Sequence, residues 1–407
     1  MNRKVLSIML GIVTATGGFL DAGAITTSAA AGANFGFGLI WAMVLATIGV
    51  MLLVEMSGRL TAMSGKTYAD GIRERFGFKF YLFPLTSEVI ANSLLLAADF
   101  GGMAIALSLL TGIAWHTLLP VAALIVFVMV WRAPFGLIEN GPSLLGLVAL
   151  STVVAVVALG PPSGELLPTL WSPRVKDGQL AEYLFLAAAI LGAVISPYLL
   201  YFYSSGAGEE RWSRRSLVVN KATAVLGMGF GSLTAISLIV LSAYVLAPLD
   251  IVGGTLPEVG LTLIKPFGTI GGILFAVILF ATCLGASLEV VLSMAYNVAQ
   301  GFGWEWGETK KPVEAARFNL VLVLFIVVGI VLSFVGGDPL KLALFGSAFT
   351  ALVLPISLLP FLVLMNDSDY LHDQTNGTLG NVLLGAVLLI AFGIAVVSMP
   401  LLLLSGG

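Results

Sequence analysis

Long apolar runs alternate along the chain with short polar or Pro/Gly breaks, and they predict helices at 5–33, 38–62, 80–112, 115–131, 143–160, 181–205, 217–247, 268–300, 315–335, 339–365 and 379–404. Runs of about 20 apolar residues are what a hydrocarbon core of roughly 30 Å requires of a helix, whereas barrel strands would show about ten residues of strict alternation. About eleven transmembrane helices follow, with a hydrophilic stretch carrying Pro161, Pro162 and Pro173 between the fifth and sixth. The predicted fold is all-α, polytopic and a single transmembrane domain over 1–407. Residues 1–160 and 181–365 form two five-helix halves, and 379–404 is an extra C-terminal helix.

Composition narrows the class further. With 58% hydrophobic and 10% charged residues and a mean hydropathy of +1.05, most of the chain must face lipid. A cytoplasmic N-terminus places 15 of the 19 Lys and Arg inside, all but Arg174, Lys176, Lys265 and Lys341. This is the bias of a multi-pass cell-membrane protein. The basic start at Arg3 and Lys4 also suits a signal peptide, but Asp21 would interrupt its apolar segment, which favours a retained first helix. A net charge of -3 without a Lys/Arg block gives no reason to expect nucleic acid as a partner. One cysteine, Cys283, excludes an intramolecular disulfide, and its apolar setting reads as a small core residue. Nothing resembles a nucleophile motif, a metal-ligand spacing or a phosphate loop, so no enzyme is predicted. The oligomeric state stays open.

The chemistry is in the acids inside spans: Asp21, Glu55, Glu88, Asp99 and Glu289. A charge at that depth is expensive unless it faces protein, water or an ion. Asp21 lies in Gly17-Gly18-Phe19-Leu20-Asp21-Ala22-Gly23-Ala24-Ile25-Thr26-Thr27-Ser28, three glycines and a run of hydroxyls within an apolar span, a segment able to unwind. Broken helices at mid-membrane expose amides and carbonyls that a ligand can satisfy. The alternative is a glycine packing patch with a snorkelling acid. A second break is predicted at Gly192-Ala193-Val194-Ile195-Ser196-Pro197-Tyr198, where Pro197 removes a backbone donor in the sixth span. Breaks in the first and sixth spans match the pattern of an inverted repeat with its site between the halves. Glu88 and Asp99, about three turns apart, can share a face of the third helix, either lining a vestibule or bonding to Ser/Thr on neighbouring helices. Glu289, two residues after Ser287, can face the same path or pair with a buried basic group, and Ser347 is a further candidate for the path. Glu55 and Arg59 are spaced for an intrahelical pair.

These segments also resemble a known family. Gly17 to Gly23, Gly32-Ala33-Asn34-Phe35-Gly36, Leu39-Ile40-Trp41, Arg59 to Gly65, Arg73-Glu74-Arg75, Gly192 to Ser205 and Leu354-Pro355 through Asp367 look like the NRAMP family of divalent metal transporters. The resemblance spans nearly the whole chain and implies a LeuT-like inverted repeat. In that family an Asp-Pro-Gly-Asn motif on helix one and a Met-Pro-His motif on helix six bind a transition metal. Here they read Asp21-Ala22-Gly23-Ala24 and Ser196-Pro197-Tyr198, so of the strong ligands only the Asp21 carboxylate survives.

Loss of the soft thioether turns the implied site toward hard cations. Mg2+, which keeps several waters, would suit Asp21, the small side chain at Ala24, the Ala193 carbonyl and Ser196; Mn2+ remains admissible. The pattern resembles the NRAMP-related magnesium branch. The ion is cargo, and no cofactor is implied. The family's proton route would fall on Tyr198, Leu96 and Asp99, two of which cannot titrate usefully, so uncoupled uptake is expected. Gly23, Thr26, Pro197, Tyr198, Glu88, Asp99, Ser287, Glu289 and Ser347 complete the candidate path. The rival readings are an amino-acid or amine carrier of the same architecture, against which Asp21 would repel a substrate carboxylate, and a non-transporting receptor.

Overall fold

The computed structural model describes residues 19–132, 147–160, 175, 178–251, 255–308 and 310–404. Its helices are α1 (Ala22–Phe35), α2 (Ile40–Ser64), α3 (Tyr68–Phe76), α4 (Phe78–Thr111), α5 (Trp115–Arg132), α6 (Ser151–Leu159), α7 (Leu180–Val194), α8 (Tyr198–Glu209), α9 (Leu217–Ala222), α10 (Met228–Val245), α11 (Leu256–Val259), α12 (Leu261–Phe267), α13 (Thr269–Phe302), α14 (Ala316–Gly336), α15 (Pro339–Met365), α16 (Ser368–Leu371) and α17 (Thr378–Leu404). Among the described residues, nine helical stretches are long and apolar enough to cross a membrane, and Leu147–Leu159 is a shorter apolar helix. They fall on the predicted runs within a few residues, because the length of an apolar run is the constraint a bilayer imposes. The first predicted span appears only as α1, since 1–18 lie outside the described residues, as does the Pro-rich stretch 161–174.

Two helices, α4 and α13, run for 34 residues each. At 1.5 Å per residue that is about 50 Å, so both extend well beyond the hydrocarbon layer. Each stops at a glycine in the left-handed region, Gly112 (φ 74°) and Gly303 (φ 67°), a conformation that a Cβ disfavours. The pair packs along its length and, with α1, α7, α8 and α15, forms the inner bundle. The small residues of α1, Ala-Gly-Ala-Ile-Thr-Thr-Ser-Ala-Ala-Ala-Gly, let it approach its neighbours closely. A Cβ on Gly32 would lie 2.1 Å from the Ile239 carbonyl of α10. Gly271 makes a similar contact with the Leu263 carbonyl of α12.

Away from the centre, the predicted Glu55–Arg59 pair forms at 3.0 Å. Arg59 also donates to the Gln374 carbonyl and the Asn376 side chain, fastening α2 to the loop before α17. Lys66 sits in the α2–α3 loop, where its bond to Glu74 raises its pKa. His116 is exposed and stacked on Trp115, and His372 is also exposed, at the end of α16. Both sit at helix ends.

Candidate metal centre

The predicted break in the sixth span is present, and it meets the non-helical residues that precede α1; residues 1–18, where the first half of the predicted first span falls, lie outside the described residues. Phe19, Leu20 and Asp21 are not helical; Asp21, extended at φ -125° and ψ -176°, caps α1 and takes the Ala24 amide on Oδ1 at 2.6 Å. Such a cap satisfies one of the free amides at a helix start, and the helix dipole favours the negative charge. On the other side, α7 ends at Val194 and α8 begins at Tyr198. Pro197 has no N–H to offer the carbonyl four residues back, which is that of Ala193. Ser196 takes over part of that duty, its hydroxyl donating to the carbonyls of Gly192 (3.0 Å) and Ala193 (3.1 Å). A Cβ on Gly23 would touch Ala193 Cβ at 3.6 Å, Asp21 Oδ1 at 3.1 Å and Ser347 Oγ at 2.5 Å. Gly23 is therefore where α1, α7 and α15 converge, and the absence of its side chain leaves room for the Ser347 hydroxyl.

Asp99 joins them from α4. Its Oδ1 accepts the Ala22 amide at 3.0 Å, so the two acids occupy neighbouring positions at the start of α1. Cys283 of α13 interacts with the Asp99 carboxyl group. Glu289, also on α13, is near enough to Asp99 and Tyr198 for their charges to interact. Among the described residues, Asp21, Glu88 and Asp99 are the only fully buried charged side chains; no Lys, Arg or His is. Buried acids without a buried base are neutralised by a proton or balanced by a cation. Among the described residues, no three His, Cys, Asp or Glu side chains are grouped closely enough to hold a metal ion by themselves. A cation here would take its remaining ligands from carbonyls, hydroxyls and water.

A family model described as natural resistance-associated macrophage protein-like matches residues 11–400. The chain belongs to the NRAMP family. The divalent metal cation transporter MntH of Erwinia tasmaniensis is 28% identical over 398 residues, which span 93% of this chain and 90% of that one. Crystal structures of the Eremococcus coleocola manganese transporter superpose with a TM-score of 0.78 at 19% identity, covering 96% of this chain and 85% of theirs. MhsT, solved with L-phenylalanine, gives 0.59 at 16% identity over 98% of both chains. At these identities the structures are similar in fold, and that fold is LeuT-like.

Within this NRAMP chain the predicted candidates separate into two groups. Asp21, Gly23, Ala193, Ser196, Pro197, Tyr198, Asp99 and Ser347 gather where the helices break, with Ala24 contributing its amide to Asp21. Thr26 is different: its hydroxyl is donated inside α1 to the Ala22 carbonyl at 2.5 Å. Ser287 faces α4, its hydroxyl against the Met103 sulfur at 3.9 Å. Glu88 is eleven residues from Asp99, about 16 Å along the helix axis. It has the interhelical partner that was one of its two predicted roles, accepting from Ser357 of α15 at 2.7 Å and from Asn92 at 3.1 Å. Cys283 is fully buried in the core, as its apolar setting predicted, but its interaction with Asp99 was not foreseen. Its spacing of four from Ser287 places both on one face of α13 and was the available signal.

Proposed function

We propose that this protein carries divalent cations across the membrane, Mg2+ foremost and Mn2+ as well, without stoichiometric proton movement. The observation that carries the reading is Asp21: a buried carboxylate at the start of α1, across Gly23 from Ala193, whose carbonyl loses its helical donor at Pro197, and with no buried base among the described residues. A divalent cation supplies the missing charge, and the membrane potential pulls it inward with about 4.6 kcal/mol per 100 mV, twice the value for one charge. The family relatives, named for divalent metal and manganese transport, support the cargo class.

Preference for a hard ion follows from the donors. Ala24 and Ser196 stand where the family carries an amide and a thioether, which leaves oxygen ligands and room for water. The Cys283 thiol keeps one soft donor in the neighbourhood, consistent with Mn2+ as an accepted cargo. Uncoupled transport rests on Leu96 and Tyr198 at positions where the family has titratable side chains. In proteoliposomes loaded with a pH dye, Mg2+ should enter down its gradient while the internal pH stays constant; proton flux proportional to metal flux would reject this part of the reading. Ser196→Met should restore a soft ligand and raise Mn2+ uptake relative to Mg2+ several-fold in a competition assay. An unchanged ratio would place residue 196 outside the ion's reach.

A further inference from the structure

The proposed cation site contains a second acid with an unclaimed oxygen. Asp99 is held in place through Oδ1 by the Ala22 amide at 3.0 Å. Its other oxygen, Oδ2, is buried without a hydrogen bond of normal geometry, the side chain being only 1% exposed, while the weakly donating Cys283 thiol also interacts with this carboxyl group. Independently, the Ser347 hydroxyl of α15 is fully buried without a partner. It lies 2.5 Å from the point where a Gly23 side chain would begin, and Asp21 Oδ1 lies 3.1 Å from that same point. Buried polar atoms are rarely left unmatched unless something else occupies the space between them.

We propose that Asp99 is a second ligand of the transported ion, reaching it from Oδ2 through a bridging water, and that it sets the preference for divalent over monovalent cations. The proposal rests on Asp21 being the cation site. Its basis is charge balance. Asp21 and Asp99 bring two carboxyl groups to the start of α1, where the helix dipole favours the charged form of each. A divalent ion neutralises both, whereas a monovalent ion leaves one unbalanced negative charge away from water. Because no three metal-ligating side chains are grouped closely enough among the described residues, the ion keeps part of its hydration shell, and an acid acting through water is the arrangement that this geometry permits. Ser347 then offers its lone pairs to the same hydrated ion from the α15 side.

Asp99→Asn tests this, because its amide oxygen can still accept the Ala22 N–H while the charge is lost. In reconstituted vesicles it should raise the KM for Mg2+ by about tenfold or more, in line with the loss of a water-mediated metal partner. Monovalent salt should begin to inhibit Mg2+ uptake, and Asp99→Glu should recover most of the affinity. Mg2+-dependent protection against thermal unfolding should shift to higher concentration by a similar factor, a binding readout that does not depend on transport. If the Asn variant is not recovered in folded form, Asp99→Ser keeps an acceptor for the amide and carries the same expectation. A KM within twofold of wild type in the folded variant, while Asp21→Ala abolishes flux, overturns the role of Asp99 and leaves the Asp21 site standing. Flux that survives Asp21→Ala overturns both.

Discussion

Asp21→Ala is expected to reduce Mg2+ and Mn2+ uptake into proteoliposomes to the background of empty vesicles. Asp21 caps α1 through the Ala24 amide, and in the proposed reading it also supplies the negative charge at the start of that helix, two separable jobs. Loss of an N-cap costs about 1 kcal/mol, so the alanine variant should also melt somewhat earlier. Asp21→Ser separates the two effects. Serine caps as well as aspartate does but carries no charge, so this variant should keep wild-type thermal stability and still lose transport. Retained flux in the serine variant would mean that the cap, and not the charge, is what the protein requires of residue 21.

The second large effect is expected at Gly192. A Cβ there would lie 1.8 Å from the Ser347 carbonyl oxygen and 2.7 Å from the Ala351 nitrogen, both backbone atoms of α15. No rotamer change relieves such a clash; α7 and α15 have to separate. Overpacking of this kind costs 1–3 kcal/mol in ordinary cores, and here it also displaces the Ala193 carbonyl and the Ser347 hydroxyl from each other. Gly192→Ala should lower the melting temperature measured in detergent and abolish most Mg2+ flux. Gly206 in α8 is the control, since a Cβ there meets no atom within 4 Å. Gly206→Ala should be neutral, or stabilising by up to about 1 kcal/mol through helix propensity. Equal behaviour of the two alanine variants would remove the close α7–α15 contact as a requirement.

The spans were legible because bilayer thickness sets their length, and the break in the sixth span and the non-helical stretch just before α1 were legible because their causes are local: a proline at 197, and glycines and hydroxyls around Asp21. Pairings between distant residues were not legible in the same way. Asp99 meets the Ala22 amide across 77 positions of sequence, and Ser357 meets Glu88 across 269. Helical periodicity gave Glu88 two possible faces without choosing between them; Ser357 decided it. Cys283 shows the limit most clearly. Its apolar neighbours in sequence suggested a small core residue, which it is, whereas packing of α13 on α4 also brings the thiol to the Asp99 carboxyl group. Composition around a residue describes the helix it belongs to, and its function here depends on the helix opposite.

The contact at Gly192 also constrains how the protein can move. With backbone seated directly on backbone, α7 and α15 cannot slide past each other, so they travel as one rigid plank. The joint left free is the three-residue link Ile195-Ser196-Pro197, where the helical ladder is interrupted and the Ser196 hydroxyl spans the gap. Any rearrangement that opens the site to one side of the membrane is therefore expected to swing α8 about that joint while the distance between α7 and α15 stays fixed. Spin labels on the three helices would report this directly, with the α7–α15 distance constant and the α7–α8 angle changing between ion-free and ion-bound protein.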